Sequence, residues 1–352
     1  MKIAFVALNA SSASPVYRAK LAAQWVNKFT EHSAFLVTAS ELNCSEPFAI
    51  FRNCDVVVFH KHGEPISKLL RKIKKHYPHI KLVYDTDDYD PDVWDYYFVE
   101  HFFYDSFKQF AEAITECDGV TVASNPLGEK IREKYGVDTC TIENGFDLSL
   151  SQHAGRSVDY FTADQPQDNF VKVAYGGGTN HYRELSWLLK SGILQELIDN
   201  YRVDFYFYGI LQSQRDFVIR GKIGSLFAKR GASMNWFMKN FYSDAQFLIA
   251  PLLNCSFNDC RSTIKLIEAG VMHKTIIASD VKVYKEYHNQ DAVSIIQNDP
   301  KVWHDTILEH IKNPEICVQR GKENRATVEQ YNDAQRLTNQ RINYYQTLKV
   351  QR

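Results

Sequence analysis

No CxxC pair occurs among the seven cysteines of this 352-residue chain, which stand scattered at Cys44, Cys54, Cys117, Cys140, Cys255, Cys260 and Cys317. That spacing offers no structural zinc site, and an odd, dispersed set predicts reduced thiols and a cytoplasmic location. Long apolar runs are missing too. Residues 1–8 are apolar over too short a length for a signal peptide, and no stretch reaches the roughly 18 residues that a membrane helix requires, so no transmembrane segment is expected. Charge of one sign is also lacking. The 41 basic and 42 acidic residues leave a formal net charge of -1, which excludes a global field toward nucleic acid or anionic lipid and leaves such contacts to a local patch.

What is present is core-forming sequence, 45% hydrophobic over a length that suits two domains of ordinary size. Residues 3–8 read as a buried strand, 9–15 as a small-residue loop and 17–29 as a helix. A strand at 55–60, a helix at 65–77 and a strand at 80–85 repeat the unit, as in a parallel sheet. A strand at 119–123, a helix at 126–135 and a strand at 140–143 complete a first domain over 1–150, and the aperiodic stretch 151–169 reads as a linker. Ligands of such sheets bind at the carboxyl ends of strands, so the loops after residues 8, 60 and 84 form the candidate edge. There Asp85-Thr86-Asp87-Asp88 concentrates carboxylates whose repulsion a ligand, a cation or water must offset. Aspartates that merely cap helices in a solvated loop fit the same stretch. The aromatic residues that follow, Trp94 to Phe110, lie at helical spacings that core packing explains.

A second domain over 170–330 opens with a strand at 171–175 and then Gly176-Gly177-Gly178-Thr179-Asn180-His181-Tyr182-Arg183, leading into a helix from Glu184. A glycine run between strand and helix lets the backbone approach a phosphate or sugar, although neither GxGxxG nor GK[ST] spacing is found there. Strands at 204–208, 247–251 and 275–278 supply a sheet like the first. Between the last two, Ser262 or Thr263 caps a short helix that begins beside Arg261 and Lys265 and ends near Gly270. Its start, flanked by two cations, suits a diphosphate, and Glu268 on the same face as Lys265 suits sugar or ribose hydroxyls. A plain amphipathic helix with a solvated Lys-Glu pair gives the same spacing. From about 323 to 349 a polar helical stretch closes the chain, with 331–352 as a C-terminal helix.

Taken in order, these segments resemble a GT-B glycosyltransferase of the retaining "glycosyl transferases group 1" kind, over nearly the whole chain. The carriers are the stretch at 55–61 followed by Leu82-Val83-Tyr84-Asp85-Thr86-Asp87-Asp88, the segments at 117–127 and 142–147, Ala250-Pro251-Leu252, and residues 262–279. The resemblance implies an α/β protein of two Rossmann-like domains facing across a cleft, with the C-terminal helix crossing back to the first. It implies transfer of a sugar from a UDP- or GDP-linked donor to an acceptor hydroxyl, with retention, no bound cofactor and no essential metal. Donor binding would fall to Gly177, Gly178, His181, Arg183, Arg261, Ser262, Lys265 and Glu268, and catalysis to Asp85, Asp87, Asp88 and Glu268. The partners implied are the nucleotide sugar and an acceptor that is a glycan, a lipid-linked sugar, a protein or modified DNA. Two departures stand out: Cys260 falls where the family has the first acid of a paired-glutamate pattern, with Asn258 or Asp259 as substitutes, and His273-Lys274-Thr275 replaces a Gly-Pro.

Other readings compete with this one. Asp85-Thr86-Asp87 also matches a DXD cation site of a metal-dependent transferase, and Cys260 at the missing acid suits a nucleotide-sugar binding protein without catalysis. An epimerase acting on a nucleotide sugar would share the architecture. The basic run Lys68 to His76 places Leu69, Leu70, Ile73 and Tyr77 inward and its cations outward, a solvated helix face. Were it close to the active edge, it would suit an enzyme of the bacteriophage type acting on hydroxymethylated DNA bases.

Overall fold

The computed structural model describes residues 1–9, 13–43, 46–61, 64–89, 91–92, 104–148, 171–177, 181–208, 242 and 245–350. The chain divides into two units. The first comprises Met1–Asp147, Asp259–Ser262 and Asp333–Arg352, and the second Leu148–Asn258 and Thr263–Asn332. The proposed linker and the aromatic residues from Trp94 to Phe103 lie outside the described residues.

In the first unit six parallel strands, β1 (Lys2–Val6), β2 (Ser33–Val37), β3 (Val56–His60), β4 (Lys81–Thr86), β5 (Gly119–Val122) and β6 (Cys140–Thr141), form a sheet in the order β2-β1-β3-β4-β5-β6. The strands that sit centrally are covered on both faces, which is why β3 reads Val-Val-Val-Phe-His and is buried throughout. Beneath one face lie α2 (Glu64–His76), α3 (Tyr104–Glu116) and α4 (Asn125–Tyr135), whose Leu69, Leu70, Ile73, Phe110, Ile114, Leu127 and Ile131 join Val57, Phe59, Leu82 and Tyr84 in one cluster. The other face is covered by α1 (Leu21–Phe29) and the C-terminal helix α10 (Ala334–Thr347), where Ala22, Val26, Ile342 and Tyr345 meet Ile3, Phe5, Val56, Val58 and Val83. The cations of α2 do face outward: Lys68, Arg71, Lys72 and Lys75 are exposed, and Arg71 is paired with Glu112 at 2.7 Å.

The second unit repeats the plan with β7 (Val171–Gly176), β8 (Val203–Tyr208), β9 (Phe247–Ala250), β10 (Ile276–Ser279) and β11 (Ser294–Ile296), all parallel, in the order β11-β10-β9-β7-β8. Among the described residues its helices longer than one turn are α5 (Tyr182–Lys190), α6 (Ile193–Asn200), α7 (Ile264–Val271), α8 (Pro300–Lys312) and α9 (Pro314–Tyr331). The closing polar stretch is two helices and not one. Asn332 ends α9, Asp333 caps α10 by accepting from the Arg336 amide at 3.0 Å, and this break is where the chain returns to the first unit. Strands β2 and β11 carry no sequence signal of their own, because both lie at sheet edges and are only partly buried.

Strand order reverses once in each sheet, at β1/β3 in the first and β7/β9 in the second. A crevice opens at the carboxyl ends of such a pair, since the connections leave in opposite directions. Those ends carry His60 and Lys61 in one unit, and Gly176, Gly177 and Pro251 in the other.

Helix α7 starts at Ile264 behind Thr263, whose side chain makes no capping bond, and ends at Val271. Gly270 is not its terminating glycine. The left-handed position belongs to His273 (φ 55°), and the amides of His273 and Lys274 bond to the carbonyls of Gly270 (3.0 Å) and Ala269 (2.9 Å), as in a Schellman motif. Gly270 serves close packing instead: a Cβ there would lie 2.8 Å from the Asn324 carbonyl oxygen of α9 and 2.5 Å from a Val328 methyl. Gly270→Ala therefore sets a gain in helix propensity of about 1 kcal/mol against overpacking of about 1–3 kcal/mol. The clash is with backbone, so the variant is expected to be less stable by about 1–2 kcal/mol in urea denaturation.

Candidate functional site

At the edge of the first unit, register determines who meets whom. His60 pairs with Asp85 and Asp85 with Thr121 across β3, β4 and β5, which sets the three side chains abreast on the face covered by α1 and α10. His60 Nδ1 is 3.1 Å from Asp85 Oδ2, and Thr121 donates to Oδ1 at 2.6 Å. Arg18 completes the group. It lies in a π-helical turn, Val16–Lys20, and donates to both Asp85 oxygens at 3.0 and 2.6 Å, while a further guanidinium N–H reaches the Ile142 carbonyl. Arg341 of α10 comes within 3.8 Å of the same carboxylate. Asp85 is 0% exposed. Burial pushes its carboxyl upward, but the Arg18 guanidinium and the His60 contact overcome this and hold it well below the usual carboxylate range.

Asp87 and Asp88 answer to a different cation. Lys61, in the left-handed conformation (φ 61°) at the end of β3, places Nζ 2.6 Å from Asp88 Oδ2 and 3.2 Å from Asp87 Oδ1, the second an ion pair without hydrogen-bond geometry. A lysine in that backbone region is strained, and such strain gathers at functional positions. Burial raises the Asp87 carboxyl, yet Lys61, His60 and a hydrogen bond from Ser14 bring it to about 2. Arg261 reaches Asp88 at 3.5 Å within the same unit, so it is paired with a carboxylate there. Cys260, next to it, is buried in the apolar cluster of the first unit with its thiol donating to the Pro126 carbonyl at 3.8 Å. A carboxylate there would be desolvated among Phe110, Leu127 and Ile131, which is a physical reason for the departure at this position.

In the second unit Lys265 and Glu268 are both buried, at 9% and 8% exposure, so they are not the solvated pair of a plain surface helix. Lys265 Nζ donates to the Gly176 carbonyl at 2.6 Å and sits 5.0 Å above the Tyr175 ring. Gly177 is tied to the same spot, because a Cβ on it would come 3.0 Å from Lys265 Nζ and 2.8 Å from Tyr175 Cζ. Glu268 accepts from Tyr242 at 3.1 Å; burial and the Glu268 carboxylate push the Tyr242 phenol up, so it stays a donor. Ser262 and Arg183 are half-buried, and Gly178 lies outside the described residues.

Glu184 is the site residue that sequence reasoning passed over. It occupies the first turn of α5 at 0% exposure, with His181 Nδ1 3.7 Å from its Oε1 and the Asn258 amide donating to the same oxygen at 3.3 Å. Asn258 also donates to the Leu253 carbonyl at 2.8 Å. The available signal was His181 and Glu184 three apart across a helix start, a spacing that faces them together. Among the described residues no group of three or more His, Cys, Asp or Glu is arranged to hold a metal. No described helix is long and apolar enough to cross a membrane.

No family model and no curated protein matches the chain. Solved structures do match along its full length. A glycosyltransferase from Rickettsia africae is 14% identical, covering 98% of this chain and 97% of its own, with a TM-score of 0.68. Sucrose-phosphate synthase from Thermosynechococcus elongatus is 12% identical over 98% of both chains at 0.70. Anabaena HepE in complex with UDP-glucose is 13% identical over 99% of this chain and 100% of its own, also at 0.70. The fold is GT-B. The two switch points described above are thus the strand ends of two GT-B Rossmann-like units, as the resemblance implied.

Asp85→Asn leaves the buried Arg18 charge without its carboxylate, and a loss of about 3–5 kcal/mol in unfolding free energy is expected from chemical denaturation. Asp87, held at about 2 when folded, binds fewer protons than it does in the unfolded chain, so its contribution is present above about pH 4 and is lost as pH falls toward 2. Asp87→Asn should accordingly show a shallower acid limb in a stability-versus-pH profile, by about 2 kcal/mol at most.

Proposed function

We propose that this chain is a glycosyltransferase that moves a sugar from a nucleotide-diphosphate donor to an acceptor hydroxyl. The observation that carries the reading is Lys265, a buried cation fastened to the glycine turn at the β7/β9 switch point. There a cation and a side-chain-free backbone converge on one spot, which is what a diphosphate needs. UDP and UDP-glucose are bound by Anabaena HepE, whose fold this chain shares, and this supports a uridine-linked donor.

In this reading Lys265 and His181 hold the leaving diphosphate through preorganised charge, the part a metal plays elsewhere. Glu268, steadied by Tyr242, accepts from sugar or ribose hydroxyls. Transfer proceeds with retention: the acceptor oxygen attacks on the face from which the diphosphate departs, and a diphosphate oxygen takes the acceptor proton. Asp87 and Asp88, with Lys61, orient the acceptor, whereas Asp85 is enclosed by Arg18, His60 and Thr121 and positions that edge without touching substrate. The reaction belongs in a reducing compartment. Cys54 and Cys317 are thiols whose burial pushes them up to about 11 and about 12, so neither is a ready nucleophile.

Lys265→Ala and Glu268→Ala should each lower transfer from UDP-glucose by about 10²–10³-fold, measured as UDP release with a panel of acceptor sugars. The circular dichroism spectrum should stay as in the parent chain. Near-parental turnover in both variants would sink the assignment.

A further inference from the structure

We propose that Ser14 is a specificity-determining residue that binds a second, non-reacting hydroxyl of the acceptor, with His60 as its positioning residue, so that the acceptor is a sugar or another polyol; this rests on the transfer reading above. Ser14 lies in the connection that follows β1, and His60 ends β3, the two strands that form the switch point of the first sheet. Ser14 Oγ is 2.8 Å from His60 Nε2, and His60 Nδ1 is 3.1 Å from Asp85 Oδ2. Three side chains thus lead from the enclosed carboxylate out to the strand end. Asp85, His60 and Asp87 are buried whereas Ser14 is half-buried, so Ser14 is the member of the chain that a ligand meets first.

A count of protons shows what this edge lacks. Asp85 is held ionised and only accepts, so the proton between it and His60 belongs to Nδ1. Nε2 of the neutral ring then accepts, and Ser14 has a single proton to give. Asp87 draws on that same proton, since Ser14 is also its hydrogen-bond neighbour. One hydroxyl cannot serve both. Were the ring to carry a second proton, Nε2 would donate and the Ser14 proton would go to Asp87, but in either case Asp87 Oδ1 is buried without a hydrogen bond. Lys61 Nζ approaches that oxygen at 3.2 Å as an ion partner only. A buried carboxylate oxygen that lacks a donor is costly, and a ligand hydroxyl meets the shortage because it brings the proton that Asp87 and Ser14 must otherwise share. This hydroxyl is not the reacting one, whose proton passes to the departing diphosphate. An acceptor with two hydroxyls is a sugar or polyol, and one with a single alcohol group is set aside.

Glucosyl transfer from UDP-glucose by the full chain, with glycerol and n-propanol as matched acceptors at equal concentration, tests this. The parent chain should favour glycerol by about 10–100-fold in kcat/KM, the worth of one hydrogen bond to a charged group. Ser14→Ala should bring that ratio close to unity through a raised KM for glycerol, and Ser14→Thr, which keeps the hydroxyl, should restore it. His60→Ala should reach the same ratio as Ser14→Ala, and the double variant should fall no further, since both act through one hydroxyl. A role confined to the fold would lower transfer to both alcohols alike, and that outcome overturns the proposal. Equal rates with the two alcohols in the parent chain overturn it, as does a parental glycerol preference in Ser14→Ala. Transfer to neither alcohol, nor to methyl glucoside or myo-inositol, with UDP-glucose bound, overturns it as well. Should His60→Ala not fold, the two Ser14 variants decide alone. A parent chain that binds neither UDP nor UDP-glucose in titration calorimetry removes the transfer reading and this inference with it, a result distinct from any that concerns Ser14.

Discussion

A carboxylate with no exposed surface at the end of a central strand forces its surroundings to assemble around it. Asp85 is such a group, and its partners come from nearly every part of the first unit: Arg18 ahead of α1, His60 on β3, Thr121 on β5 and Arg341 on α10. Each cation alone would be as costly to bury as the carboxylate, so the set is stable only when complete. This explains why α10, the last helix of the chain, lies in the first unit. It brings Arg341 to the cluster, Tyr344 to the backbone of Val120 at 3.0 Å, and backbone carbonyls of Tyr345 and Gln346 to Lys81.

The second unit meets the same topology with the opposite electrostatics. Its switch point presents glycine backbone and a lysine whose described partners there are a carbonyl and an aromatic face. Two buried carboxylates belong to this unit, Glu184 in the first turn of α5 and Glu268 within α7, each with a neutral hydrogen-bond donor beside it, Asn258 and Tyr242. The first unit closes its charges onto one another, whereas the second gathers a lysine, an aromatic face and glycine backbone at its switch point.

Much of this was legible because parallel sheets write themselves plainly. Runs such as Val56-Val57-Val58-Phe59 between helical patterns gave the alternation, and Lys265 with Glu268 at helical spacing gave helix α7. What stayed hidden depends on register and on long-range closure. That His60, Asp85 and Thr121 stand abreast follows from pairings across three strands, and Arg18 arrives through a π-helical turn that no hydrophobic period announces. Asp85 therefore read as an acceptor-facing acid when it is a buried countercharge. Gly270 read as a helix stop for a similar reason: its role is set by Asn324 and Val328, more than fifty residues on in the chain.

Cys260 shows how one buried residue can decide where a segment packs. In the pattern this segment resembles, an acid at 260 would precede Glu268 by two turns, but here the chain at Asp259–Ser262 belongs to the first unit and the thiol is buried in apolar packing. Arg261 follows it there and is engaged by Asp88. The segment thus acts as a tie within the first unit. Asn258, fully buried at the near end of the same segment, donates its amide to Glu184 of α5 at 3.3 Å. A buried carboxylate can draw its hydrogen-bond donor from an element far along the chain, and sequence order does not reveal which one.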